Sequence, residues 1–285
     1  MRARINRLWW QITGVFLFNT PFIGPNHYAF LTVPVLNCYA CPLAQGACPI
    51  GTFQHFLVIG MIPFLALGVI GLFAGMAGRF YCSHLCPFGF FQDILGRFSK
   101  KKLRLPHWAG YGKYASLVVL AMILPPILKE PFFCTLCPAG TLEAGIPIVS
   151  DAWFQTRFGS ADLFASKSSI LYMIGWWYWF KVGILVGVVY LSIVVKRPFC
   201  RMACPLGATL GLFNRISVFV HPPLEKQLSG KEYFLKNCPV HITKSEDVDS
   251  HICIKCEQCY HRPGENDTIT PSAESLPGTE TSEIP

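Results

Sequence analysis

Two stretches of the sequence repeat each other: RFYCSHLCPFGFFQDILGRFS at 79–99 and RPFCRMACPLGATLGLFNRIS at 197–217. Aligned without a gap, both copies follow the pattern Arg-x2-Cys-x3-Cys-Pro-x-Gly. Such a repeat indicates one structural unit used twice, related by a pseudo-twofold axis. Four cysteines are then expected to converge, and four thiolates around an axis suit a metal or iron–sulfur centre. These cysteines are Cys82, Cys86, Cys200 and Cys204.

The composition is that of a membrane protein. The chain has 285 residues, of which 52% are hydrophobic and 14% are charged, whereas soluble domains carry about 25% charged residues. Length and apolarity predict four transmembrane helices, at 8–36, 54–78, 112–128 and 169–195. The expected fold is therefore an all-α polytopic membrane protein whose four helices form two pseudo-twofold repeats. The net charge of +8 is better explained by membrane topology than by nucleic-acid binding.

The basic residues predict how the chain is oriented in the membrane. Arginine and lysine are concentrated before the first predicted span, between the second and third, and after the fourth, whereas 37–53 and 129–168 hold few. Because basic loops remain on the cytoplasmic side, both termini are expected in the cytoplasm. The predicted location is the bacterial inner membrane, with membrane lipid around the four helices.

A second set of cysteines lies in the segments predicted to face outward. A Cys-x2-Cys-Pro motif precedes the second predicted span and another precedes the fourth, so the repeat units extend over 38–105 and 134–220 of a membrane domain at 1–220. Their cysteines are Cys38, Cys41, Cys134 and Cys137, with Cys48 as a possible substitute. This set could hold a cluster or form disulfides, or the thiols could pack as small hydrophobes. The two sets are expected at opposite faces, separated by most of the roughly 30 Å hydrocarbon core.

The C-terminal part contains a third cysteine pattern. Cys238 precedes a proline, and CIKCEQC supplies Cys253, Cys256 and Cys259. A Cys-x2-Cys-x2-Cys triplet with a remote Cys-Pro is typical of one ferredoxin-type [4Fe–4S] cluster, and zinc is the alternative. A ferredoxin-like segment is therefore predicted at 221–263. The acidic stretch at 264–285, which is rich in Pro, Ser and Thr, is predicted to be a disordered tail.

Taken together, the four predicted spans, the two Cys-x3-Cys-Pro motifs and the C-terminal ferredoxin segment resemble the NapH/MauN-type family of membrane-bound [4Fe–4S] proteins. The resemblance implies a quinol dehydrogenase membrane component that passes electrons between the quinone pool and a periplasmic or membrane redox partner protein. It also implies one ferredoxin-type cluster and one or two centres in the membrane domain. This chain departs from the commonest family pattern because its C-terminal segment can complete one cluster rather than two.

Two acidic residues are candidates for accepting quinol protons. Glu143 follows Cys137 in the second Cys-x2-Cys segment, and Asp93 follows Cys86 in the first repeat. The alternative for each is an ordinary solvated or capping acid. Two other functions also fit the cysteines: a maturation factor that reduces or delivers metal for a periplasmic enzyme, and a membrane thiol–disulfide transporter.

Overall fold

The structure is a computed structural model of the chain. It describes residues 7–19, 31–41, 43–98, 103, 105–158, 174–218, 238, 240, 242 and 250–256. Part of the first predicted span, most of the ferredoxin-like segment including Cys259, and the predicted acidic tail lie outside these described residues.

The described residues fold as helices. Their α-helices are α1 Arg7–Phe18, α2 Pro49–Ile59, α3 Phe64–Ala77, α4 Phe80–His84, α5 Pro87–Leu95, α6 Gly112–Ala115, α7 Leu124–Leu128, α8 Phe132–Leu136, α9 Pro138–Gly140, α10 Ile146–Phe158, α11 Trp176–Val194, α12 Pro198–Met202 and α13 Pro205–Leu212. A 3₁₀ turn spans His107–Tyr111, and π-helical stretches span Ser116–Ile123 and Thr141–Gly145. No β-strand occurs in the described part of the chain, where one isolated parallel bridge joins Thr32 and Ala47.

Two helical stretches are long and apolar enough to cross a membrane, Trp108–Leu128 and Trp176–Val194. They confirm a helical protein with membrane-type helices, and they correspond to the third and fourth predicted spans. The predicted continuous span at 54–78 is interrupted, because α2 ends at Ile59 and α3 begins at Phe64. Gly60 ends α2 in the left-handed conformation, with a φ of 81°. Pro63 then directly precedes α3 and lacks the N–H that a continuous helix would need.

The distribution of polar and apolar side chains suits a lipid environment. Arg79, Gln92 and Asn214 are fully buried, whereas Phe64 and Trp176 are 74% and 79% exposed. Soluble proteins normally bury such large apolar side chains and leave charged ones in water. Apolar outer faces on the long helices, with buried polar groups inside, indicate membrane association.

Four short helices share one way of starting. In each, a cysteine is the N-cap, a proline is the first helical residue, and a glycine follows two residues after the proline. The four cysteines are Cys48, Cys86, Cys137 and Cys204. Proline is favoured at the first helical position, where its missing N–H costs nothing. Each cysteine sulfur therefore lies beside the free N–H groups at the start of a helix.

Candidate metal centre

The structure brings together the four cysteines of the Cys-x3-Cys-Pro motifs, which we call the repeat group. All four are at most 7% exposed. Burial raises the pKa of Cys86, and the neighbouring Cys200 and Cys82 thiols raise it further. Burial likewise raises the pKa of Cys204, again with contributions from Cys200 and Cys82. The two copies thus contribute their thiols to one buried neighbourhood.

The arginine at the start of each copy reaches across to the other copy. Arg79 Nη2 donates a 2.8 Å hydrogen bond to the carbonyl oxygen of Cys200. Arg197 Nη1 donates a 2.9 Å hydrogen bond to the carbonyl oxygen of Cys82. The exchange is reciprocal, and it ties the first cysteine of each copy to the opposite half.

The glycine of each motif leaves room for this exchange. A Cβ added at Gly89 would lie 2.8 Å from the Cys82 oxygen and 3.5 Å from Arg197 Nη2. At Gly207, a Cβ would lie 3.2 Å from both the Cys200 oxygen and Arg79 Nη2. Because real Cβ atoms essentially never lie within 3.0 Å of another heavy atom, alanine does not fit at Gly89 without movement of the backbone.

Several basic side chains near the repeat group are buried. Arg79, Arg197, Lys113 and Lys255 are each at most 2% exposed. Asp93 neutralises one of them, through a 2.6 Å ion pair with Arg197. Burying a charge is costly unless an opposite charge compensates it. Four thiolates carry more negative charge than a [4Fe–4S] core carries positive charge, so a cluster bound here would be anionic. The buried basic side chains would compensate that charge, and the residues present therefore fit such a cluster.

Gln92 makes a direct polar contact with one of these sulfurs. This fully buried side chain donates a 3.0 Å hydrogen bond from Nε2 to Cys200 Sγ. Hydrogen bonds to the sulfurs are one of the means by which proteins set cluster potentials. Sequence reasoning missed Gln92, although Gln54 holds the same place, six residues after the cysteine, in the Cys48 motif.

Asp93, a predicted candidate for proton transfer, is held among basic and amide groups. It accepts hydrogen bonds of 2.8 and 2.6 Å from Arg197 and one of 2.7 Å from Gln11, and it pairs with Arg7. Burial raises the pKa of Asp93, but the Arg197 and Arg7 guanidinium groups outweigh it and hold the value at about 2. This arrangement favours a role in positioning Arg197.

The Cys-x2-Cys segments also bring thiols together, around a small cavity of about 30 Å³ that is partly open to solvent. The sulfur-bearing residues that line it are Cys38, Cys48, Cys134 and Cys137, which we call the cavity group. Cys41 is not among the lining residues; it packs with Ala44 and Ala144, in a cluster against which Cys38 also packs. The predicted substitute, Cys48, therefore occupies the place expected for Cys41. Its Cys-Pro-Ile-Gly sequence, which matches the Cys-Pro-x-Gly of the repeats, is the signal that could have identified it.

Glu143, the other predicted proton acceptor, lies against the cavity group. Its Oε2 accepts a 2.8 Å hydrogen bond from the backbone N–H of Cys38. Burial raises the pKa of Glu143 to about 8, and the hydrogen bond from Cys38 opposes this rise. The carboxyl group supports a cysteine segment rather than facing an open surface.

The two groups are not at opposite faces of the molecule, contrary to the expected separation of about 30 Å. The backbone N–H of Leu36 hydrogen-bonds the Cys86 thiol, and Leu36 also lines the cavity with Cys38. Cys48 and Cys137 belong to the same apolar core as Cys82, Cys86 and Cys204. The prediction failed because the Cys-x2-Cys motifs were assigned to loops outside the membrane, whereas Cys48 and Cys137 are buried in the core.

The described part of the ferredoxin-like segment lies against the repeat group. Arg79 Nη1 donates to the carbonyl oxygens of His251 and Ile252, at 3.0 and 3.2 Å. Asn214 Nδ2 donates at 2.8 Å to the carbonyl oxygens of Ser250 and Cys253. Arg79 therefore contacts both the backbone of Cys200 and the segment that carries the predicted C-terminal ligands.

The sulfurs do not crowd around one point. Among the described residues, no three His, Cys, Asp or Glu side chains lie close enough to share a single metal ion. The cysteines of the repeat group and the cavity group, with Cys41 and Cys238, form no disulfide. A structural zinc needs all its sulfurs about 2.3 Å from one ion, whereas cluster cysteines each bind a different iron and lie further apart.

Three segments of the chain match the model of a 4Fe-4S binding domain family: 58–106, 114–154 and 177–222. Together they cover just under half of the sequence. Each segment includes a cysteine pair, and the middle one includes Cys134 and Cys137. No solved structure gives a significant match.

Curated relatives are distant. Two uncharacterized proteins of Methanocaldococcus jannaschii are 26% and 25% identical, over 74% and 65% of this chain and 81% and 61% of their own lengths. Regulatory protein NosR of Stutzerimonas stutzeri is 24% identical over 64% of this chain, which corresponds to 23% of NosR. With the family match, these similarities support a membrane-associated iron–sulfur protein of the ferredoxin type.

Proposed function

We propose that the chain is a membrane-bound iron–sulfur protein that carries electrons between the quinone pool and a redox partner protein. One observation carries the proposal: four buried cysteines from two copies of one motif converge among buried cations. The match to a 4Fe-4S binding domain in three segments supports the cofactor. As the resemblance to the NapH/MauN-type family implies, the partner would lie on the periplasmic side or within the membrane, and both termini would be cytoplasmic.

The described residues suit this role. Cys82, Cys86, Cys200 and Cys204 would hold a [4Fe–4S] cluster, which supplies one-electron transfer when bound. Arg79 and Arg197 fix the backbone on either side of it and supply positive charge. The apolar core around the thiols excludes water, and Cys238, Cys253 and Cys256, with Cys259, would hold a ferredoxin-type cluster beside it.

The proposed donor is a quinol in the surrounding lipid. Oxidation of one quinol to the quinone releases two electrons and two protons, so the protein would take the electrons one at a time and the protons would pass to water. The acceptor is a redox protein able to take single electrons. Maturation of a periplasmic metalloenzyme and thiol–disulfide transfer are the competing functions that an experiment must exclude.

The test is quinol-dependent reduction in proteoliposomes. The full chain, purified without oxygen, would be reconstituted with a reduced short-chain quinol, and visible absorption and EPR spectra would be recorded. We expect bleaching near 400–420 nm, typical of cluster reduction, as quinol is added. Iron-containing protein that no quinol reduces would contradict the role in quinol oxidation. Protein without iron but with reversible disulfides would instead support a thiol–disulfide transporter.

A further inference from the structure

The cavity group repeats the local design of the repeat group. Cys48 and Cys137 are helix N-caps followed by Pro-x-Gly, as are Cys86 and Cys204. As in the repeat group, the glycine of each motif packs closely against its surroundings, and here it faces sulfur: a Cβ at Gly140 would lie 3.4 Å from Cys38 Sγ. Two unrelated functions for one repeated design are a poorer explanation than the same function at both places.

In both groups, a glutamine from the first repeat unit contacts a cysteine sulfur of the second repeat unit. Gln54, six residues after Cys48, lies 3.7 Å from Cys134 Sγ through Nε2 and accepts a 3.0 Å hydrogen bond from the Phe133 N–H. Gln92 holds the same place relative to Cys86 and contacts Cys200 Sγ. Gln54 is fully buried, so its contact belongs to the interior and not to a surface.

The thiols of the cavity group share one neighbourhood. Cys38, Cys48, Cys134 and Cys137 all line the same cavity. A Cβ added at Gly51, three residues after Cys48, would lie 3.5 Å from Cys134 Sγ, so the Cys48 motif packs directly against a cysteine of the other half.

The two groups are joined by a very short piece of backbone. Leu36 contacts Cys86 and lines the cavity, and Cys38 follows two residues later. Two residues of extended chain span at most about 7 Å. A centre bound by Cys38 would therefore be a close neighbour of one bound by Cys86, with apolar protein between them.

We propose that Cys38, Cys48, Cys134 and Cys137 hold a second iron–sulfur cluster in this cavity, and that Cys41 is not a ligand. An electron can then move between the two sites across the Leu36–Cys38 backbone, without a haem, quinone or other relay between them. This inference rests on the proposed iron–sulfur function and adds a site and a route to it.

The test compares Cys48→Ala with the matched control Cys41→Ala in the full chain, purified without oxygen. We expect Cys48→Ala to lose one cluster's iron and acid-labile sulfide, about four of each per chain, and Cys41→Ala to retain both. Cys134→Ala repeats the loss from the other half, so that the result does not depend on how one variant folds. Cys82→Ala should keep the cavity cluster while losing the other.

The spectra provide the second readout. In fully reduced wild type, two neighbouring paramagnetic clusters should give a broadened, rapidly relaxing EPR signal. Cys48→Ala should sharpen that signal to that of an isolated cluster, whereas Cys41→Ala should leave it unchanged. Full iron content in Cys48→Ala, or loss of iron in Cys41→Ala, would overturn this assignment while leaving the function intact. A wild-type chain without any iron would instead refute the proposed function itself.

Discussion

Arg79 donates a hydrogen bond to the backbone of Cys200, 121 residues away in the sequence. Arg197 makes the reciprocal contact with the backbone of Cys82. Each cation therefore stabilises the opposite half of one four-cysteine site. The two sequence copies therefore form a single interior site. The chemistry of this site can be tested at several named residues.

Replacing Arg79 should lower the reduction potential of the repeat-group centre. A nearby buried cation favours the reduced, more negative state, so Arg79→Gln should lower the potential by roughly 60 mV, which is a tenfold change in the one-electron equilibrium. Potentiometric EPR titration measures the shift. Arg215→Gln, at an exposed position in the other copy, is the control and should leave the potential unchanged. Equal potentials in wild type and Arg79→Gln would contradict a cluster at this place.

Gly89→Ala should disturb the repeat group. The new Cβ would approach the Cys82 oxygen to 2.8 Å, and overpacking of this kind costs about 1–3 kcal/mol. We expect a lower thermal midpoint in detergent and loss of iron. Gly68→Ala is the matched control, because nothing lies within 4 Å of its added Cβ. Similar effects from both variants would show that Gly89 has no special role.

The two buried glutamines should act on different centres. Removing the amide that donates to Cys200 Sγ in Gln92→Leu should lower the potential of the repeat-group centre, because a hydrogen bond to sulfur offsets its negative charge. Gln54→Leu should instead lower the potential of the cavity-group centre. Redox titrations that resolve two EPR signals separate the cases. A shift of the same signal by both variants would contradict the assignment of one glutamine to each group.

Asp93 should contribute to stability at neutral pH and lose that contribution at acidic pH. Its folded pKa of about 2 lies below the ordinary value of 3.8, so the contribution is complete above about pH 4 and is lost as the pH falls towards 2. Asp93→Asn leaves Arg197 buried without its carboxylate and should cost roughly 3 kcal/mol at neutral pH. Urea titrations of the detergent-solubilised protein would give the free energy of unfolding at pH 7 and at pH 3. Lowering the pH should reduce this free energy less in Asp93→Asn than in the wild type. An equal loss of unfolding free energy in wild type and Asp93→Asn would contradict a stabilising role of the Asp93–Arg197 ion pair.

Asn214 should hold the ferredoxin-like segment against the membrane domain. Its amide donates to the carbonyl oxygens of Ser250 and Cys253 at 2.8 Å, and losing both bonds costs about 1–3 kcal/mol. Asn214→Ala should therefore speed proteolytic release of the C-terminal segment. Thr209→Ala, which removes a hydroxyl bonded within its own helix, is the control. Unchanged cleavage in Asn214→Ala would place the docking elsewhere.

The convergence of the repeat group could be predicted from the sequence because spacing alone carried the signal. Two copies of Arg-x2-Cys-x3-Cys-Pro-x-Gly leave little freedom in how their cysteines meet. The reach of Arg79 and Arg197 across the two halves could not be predicted. Long side chains can point in many directions, and only packing determines which carbonyl oxygen each one meets.

The cavity group was harder to predict because two signals conflicted. The Cys-x2-Cys spacing favoured Cys41 as the partner of Cys38, whereas the Pro-Ile-Gly that follows Cys48 is the feature it shares with the repeats. At the position that corresponds to Gly51, the Cys41 motif has Ala44. The break between Ile59 and Phe64 also hid the true course of the chain, because hydropathy registers one continuous apolar run where the structure has two helices.

The central claim is that one centre is shared between the two sequence repeats. The most direct measurement is the iron and acid-labile sulfide content of Cys82→Ala, Cys204→Ala and the double variant, all purified without oxygen from the full chain. The shared site predicts that each single variant loses the same cluster and that the double variant loses no more than either single variant. If each repeat held its own centre, the losses would add in the double variant, and the shared site would be contradicted.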